Sequence, residues 1–121
     1  MEKNSSMLEL PIPEDGALPP PTKGCTMEFF CLLNWTQKGI ENIKDSPKRH
    51  DAAKAMLEQL GGREKGVWLT SGDYDMVLHL DVPDGETMAK FCLKLGAQGG
   101  VRTKTVRAWN EAEYRKIMGS L

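Results

Sequence analysis

The chain has 121 residues, 40% of them hydrophobic and 27% charged, which is one domain's worth of ordinary globular sequence. A formal net charge of -1 and a pI near 6.1 give no electrostatic basis for binding nucleic acid or an anionic membrane. No apolar run approaches the roughly 20 residues needed to cross a bilayer, and the N-terminus lacks the basic-then-apolar pattern of a secretory signal.

Residues 1–26 hold five of the seven prolines, Pro11, Pro13, Pro19, Pro20 and Pro21, and no hydrophobic period. Proline removes a backbone donor and restricts the residue before it, so this segment reads as a flexible, passive extension. A polyproline-II recognition string is the competing reading. The folded domain is expected over 27–121. The three cysteines, Cys25, Cys31 and Cys92, show no zinc or redox spacing, and they read as reduced thiols of a cytoplasmic protein.

"MEFFCLLN" (27–34) is short, apolar and aromatic, and predicts a buried strand. Thr36 can cap a short helix over 37–44. In "DSPKRHDAAKAMLEQLGG" Ser46 suits an N-cap, Pro47 the first helical position, and Gly61-Gly62 the stop. Ala53, Met56, Leu57 and Leu60 form one buried stripe of that helix. "REKGVWLT" and "DMVLHLDV" predict two strands. Asp84 can cap a helix whose stripe is Met88, Phe91, Cys92 and Leu95, ended by Gly96 to Gly100. "VRTKTVRAW" is a fourth strand by its β-branched content. Asn110 and Glu113 have capping-box spacing before a last helix with the stripe Tyr114, Ile117, Met118 and Leu121.

The order β-α-β-β-α-β plus a C-terminal helix predicts an α+β, ferredoxin-like fold: two helices on one face of four antiparallel strands. If Gly72-Asp73 is the hairpin connection, Leu69 faces Met76 and Trp68 faces Val77. Leu69, Met76, Leu78 and Leu80 then lie under the helices. Trp68, Thr70, Asp75, Val77, His79 and Asp81 share the other face, which suits a dimer interface or a pocket wall. A slip of one residue would exchange the two sets.

Three blocks carry a resemblance: "LLNWTQKGIENIKDSPKRHDAAKAMLEQLGG", "LTSGDYDMVLHLDVPD" and "GGVRTKTVRAWNEAEYRKI". Together they resemble the GYD domain family over nearly all of 27–121, with Gly72, Tyr74 and Asp75 in the element that names it. The resemblance implies a dimeric α/β-barrel built on ferredoxin-like units, and no activity. The hairpin and the strand after it are also similar to the ligand-binding domain of feast/famine regulators, which binds amino acids between subunits. No helix-turn-helix segment precedes Met27, so DNA binding does not carry over.

His79 is the candidate catalytic residue, a general base with Asp81 as its orienting same-face neighbour; a histidine satisfied at an interface is the plainer reading. Asp75, His79 and Asp81 lie along one strand and cannot converge on a metal unaided, so neither metal nor cofactor is expected. Asp75 also suits a brace for the hairpin. Of Arg49, Arg102 and Arg107, any can hold an anionic ligand, but Arg102 and Arg107 point to opposite faces of one strand. Trp35, Trp68 and Trp109 can stack a planar ligand or simply pack. Cys31 and Cys92 read as core. The candidate ligand-binding set is Trp68, Tyr74, Asp75, His79, Arg107 and Trp35. The expected partners are a second copy of the chain and a small molecule. A homodimeric ligand-binding protein, a cofactor-independent enzyme with His79 as base, and a purely structural module all stay open.

Overall fold

The computed structural model describes residues 26–121, so the expected extension over 1–26 lies, but for Thr26, outside the described residues. In chain order the elements are β1 (Met27–Trp35), α1 (Gln37–Glu41), a 3₁₀ turn (Ile43–Asp45), α2 (Ser46–Gln59), β2 (Arg63–Leu69), β3 (Met76–Val82), α3 (Gly85–Gln98), β4 (Val101–Ala108) and α4 (Glu111–Gly119). The four strands form one antiparallel sheet in the order β2-β3-β1-β4. The fold is α+β and ferredoxin-like, as the element order predicts.

The helix stripes explain the core. Ala53 and Leu57 of α2 and Met88, Phe91 and Leu95 of α3 are buried against Phe29, Cys31, Leu33, Leu78, Leu80 and Val82 of the two central strands. Met56, Leu60, Met76 and Cys92 pack at its margin. Both helices therefore cover one sheet face, because each has a single apolar stripe to bury.

The caps differ in detail from expectation. Thr36 accepts from the Gly39 amide at 3.2 Å, yet α1 lasts only to Glu41 before the 3₁₀ turn. That turn runs straight into α2, so Ser46 is already helical and Asp45, not Ser46, occupies the N-cap position, without a side-chain hydrogen bond. Asp84 caps α3 by accepting the Thr87 amide at 2.8 Å. Gly96 lies inside α3, which stops at Gly99 in the left-handed conformation. Asn110 and Glu113 make the reciprocal capping box of α4.

The hairpin register is the expected one: Trp68 pairs with Val77 and Leu69 with Met76. Gly72 carries the positive φ (+99°) that the turn requires. The last rung is Thr70 N–H donating to the Asp75 carbonyl at 2.9 Å, so the loop is wider than a two-residue turn. Asp75 is drawn away toward β1, where its amide donates to the Leu33 carbonyl at 2.9 Å.

Among the described residues two apolar surfaces stay uncovered. One is the sheet face opposite α2 and α3. The other is the α4 stripe, where Tyr114 is 52% exposed, Ile117 40%, Met118 50% and Leu121 93%. Leu69 lies on the helix side by register but is 75% exposed, at the hairpin end of the edge strand β2.

Candidate functional site

Directly opposed residues of neighbouring strands share a face, so the pairing lays out the open face as rows. The first row reads Arg63, Asp81, Glu28, Ala108 across β2-β3-β1-β4; the second Gly66, His79, Phe30, Val106; the third Trp68, Val77, Leu32, Lys104. A bulge at Lys65 keeps Arg63 in phase with Gly66 and Trp68. One end of the face is charged and the middle is apolar.

Glu28 is the hub of the charged end. Its carboxylate accepts from His79 Nε2 at 2.7 Å and Asn110 Nδ2 at 3.2 Å, and Lys65 Nζ stands 3.5 Å away. Burial raises the pKa of this carboxyl; the hydrogen bonds from His79 and Asn110 and the Lys65 charge outweigh it and hold the group below the usual glutamate value. An ionised carboxylate only accepts, so Nε2 of His79 carries the hydrogen, and in the neutral ring Nδ1 is the atom with the lone pair. The imidazole lies flat on Phe30, with ring centroids 4.6 Å apart and planes at 16°.

Asp81 is the anomaly. It is 9% exposed, it directly opposes Glu28, and among the described residues its buried Oδ1 has no hydrogen-bond partner. A buried acceptor without a donor costs about 1–3 kcal/mol. Glu28, not Asp81, is the carboxylate that orients His79. Residues two apart on one strand are roughly 7 Å apart, whereas the diagonal neighbour on β1 can lean into contact.

Trp68 lies over Gly66, the cross-strand partner of His79: a Cβ added at Gly66 would sit 2.6 Å from the indole Cη2. Glycine there is what lets the indole lie against the strand. Trp68 remains 51% exposed. Tyr74, from the hairpin loop, lies beneath the Lys104 ammonium at 5.9 Å, and Lys104 belongs to the open face. Three expected ligand-binding residues, Trp68, His79 and Tyr74, are thus associated with that face.

The other three are placed elsewhere. Asp75 acts as a brace between strands: its Oδ2 accepts the Trp35 amide at 3.0 Å, extending β1 past the end of the β1–β3 ladder. Asp75→Ala is expected to destabilise the fold by about 1–3 kcal/mol in urea unfolding, and Asp75→Asn, which keeps an acceptor, to recover most of that loss. Equal losses from both variants would assign the effect to the charge instead. Arg107 pairs with Phe29 and so projects on the helix side, where its guanidinium lies 4.5 Å from the Trp109 ring centroid and donates to the Glu28 carbonyl at 3.4 Å. Arg102, paired with Asn34, is the arginine of β4 on the open face.

Trp35 pairs with Val101, also on the helix side, and lines a cavity of ≈ 60 Å³ with Ser46, Arg49, His50 and Gln98 at its rim. An apolar cavity of about 150 Å³ holds benzene, so this one suits a few waters. Two of its polar side chains are already engaged: His50 meets Glu64 at 3.0 Å, and Arg49 donates to the carbonyls of Asn42 and Gly39. Among the described residues no group of three or more His, Cys, Asp or Glu could hold a metal, and no helix is long and apolar enough to cross a membrane.

Glu28, Lys65 and Asn110 were not among the expected site residues. A family model described as the GYD domain matches residues 29–118. A Thermus thermophilus protein named "Glutamine synthetase and cystathionine beta-lyase binding protein" is 31% identical over 81 residues, 66% of this chain and 85% of that protein. No solved structure matches the chain.

Proposed function

We propose, from the premise that this chain belongs to the GYD domain family, that it is a homodimeric binding protein whose two open sheet faces enclose a small-molecule pocket. The observation that carries this reading is the open face itself: Phe30, Leu32, Trp68, Val77 and Val106 are left uncovered by the described elements, beside Glu28, His79 and Asp81, whose Oδ1 has no partner among the described residues. A second copy removes the apolar middle from water, and a ligand with an apolar body and a hydrogen-bond donor suits the polar end. Tyr74 and Arg102 stand near the opposite end, where an acidic group of the same ligand fits.

Area argues for what else takes part. Four strands at about 4.8 Å spacing and some seven residues at about 3.3 Å give a sheet face of roughly 450 Å² in plan. A stable interface takes about 800 Å² from each partner. The sheet alone falls short, and the uncovered α4 stripe is the apolar surface that makes up the difference.

The Thermus relative favours a second reading, in which the protein docks onto enzymes. One experiment addresses both. Light scattering of the full chain is expected to give twice the 13.5 kDa chain mass, and Ile117→Asp in α4 is expected to shift it toward the monomer. A monomeric wild-type protein at micromolar concentration overturns the dimeric pocket. A dimer indifferent to Ile117→Asp frees α4 for another protein, and binding to purified glutamine synthetase is then the measurement to make.

A further inference from the structure

We propose that Cys31 and Cys92 form a peroxide-sensitive modification site that closes reversibly into a disulfide joining β1 to α3.

The fold brings the two thiols together from 61 residues apart. Cys31 is wholly buried on the helix side of β1, and Cys92 packs against the same core from α3. Thr105 is the direct cross-strand partner of Cys31, and its Oγ1 lies 3.4 Å from Cys92 Sγ. Both cysteines therefore flank Thr105 beneath β4.

Access separates their roles. β4 is an edge strand, Thr105 is exposed and Cys92 half-buried, so a small oxidant can reach the Cys92 sulfur from that edge. Cys31 stands behind it with no solvent exposure. The hydrogen bond donated by Cys31 pulls the Cys92 thiol below its ordinary pKa; burial opposes this, and the Thr105 and Thr103 hydroxyls assist it. The same hydrogen bond and deep burial push Cys31 up, so it keeps its proton. An accessible sulfur disposed to be thiolate, backed by a protonated thiol beside the same threonine, is the arrangement of an attacking and a resolving cysteine. A packing role alone explains Cys31 but not the second thiol and two threonines gathered beside it.

The co-reactant is hydrogen peroxide. The Cys92 thiolate attacks one peroxide oxygen, the O–O bond breaks, and sulfenic acid forms as hydroxide leaves. The Cys31 sulfur then attacks the Cys92 sulfur; the S–S bond forms, the S–O bond breaks, and the oxygen departs as water with the Cys31 proton. Two thiols lose two electrons in all, and peroxide is reduced to two waters. A dithiol reductant reverses the link by exchange.

The test uses the full chain carrying Cys25→Ser, so that no third thiol competes. Peroxide at a slight excess is expected to remove two hydrogens from the intact mass, to join the Cys31 and Cys92 peptides, and to raise the thermal midpoint by about 5 °C or more. Dithiothreitol should restore both thiols. In the Cys31→Ser variant Cys92 should stop at sulfenic acid, trapped by dimedone, while in Cys92→Ser the buried Cys31 should stay inert. Oxidation of Cys92 alone in the two-thiol protein, a link between chains, or no reaction faster than that of free cysteine overturns the proposal.

Discussion

Val77→Glu is expected to leave the chain folded and to weaken its self-association by roughly four orders of magnitude. Val77 stands between Trp68 and Leu32 in the apolar middle of the open face. That face is uncovered in the single chain, so a carboxylate there keeps its water and costs the monomer at most about 1 kcal/mol of strand preference. In a face-to-face pair two such carboxylates are buried without partners. Each loses several kcal/mol of hydration. A total near 6 kcal/mol corresponds to about 10⁴ in the dissociation constant. Leu93→Glu is the control, since Leu93 is 74% exposed on α3, which covers the other face of the sheet. Light scattering against concentration should show Val77→Glu monomeric and Leu93→Glu unchanged in mass. If Val77→Glu stays dimeric, the sheets do not face each other, and the pocket goes with that geometry.

The fold was legible because its signals are local. The stripes of α2 and α3 repeat at helical spacing, and both are buried as that spacing demands. The hairpin register follows from one glycine, Gly72, because a turn counts residues outward into both strands. Site geometry depends on pairings that no turn sets. Glu28 meets His79 across 51 residues of sequence. "MEFFCLL" is apolar at nearly every position, so alternation does not tell which of its side chains face the helices. The same gap leaves the parity of β4 open, which is why Arg107 was expected in the pocket and stands on the helix side. Lys65 reaches Glu28 from a bulge, an irregularity without a residue signature here. The α4 stripe is plain in the sequence, but a stripe says that something covers a helix and not what does.

Glu28→Gln is expected to lower stability by about 1–3 kcal/mol at neutral pH and to remove part of its dependence on acid. The carboxylate holds His79, Asn110 and Lys65 together, and Gln keeps an acceptor of similar shape without the charge. The sign follows from the depressed pKa. Burial pushes the Glu28 carboxyl up, but its donors and the Lys65 charge leave it below the ordinary value of 4.5. Between the folded and unfolded pKa values the unfolded chain therefore binds more protons, and stability rises with pH. The contribution is whole above the ordinary glutamate value and disappears as pH falls through the lower, folded one. Urea unfolding of both proteins at one concentration, from about pH 6 to about pH 3, should show the wild type losing stability faster, so that the gap narrows. Lys65, His79 and Asp81 adjoin residue 28 in both proteins, so the difference curve reports chiefly the one carboxyl. A gap that stays constant across the range would mean that Glu28 serves by shape and neutral hydrogen bonding. The orientation of His79 would then rest on packing against Phe30 rather than on charge.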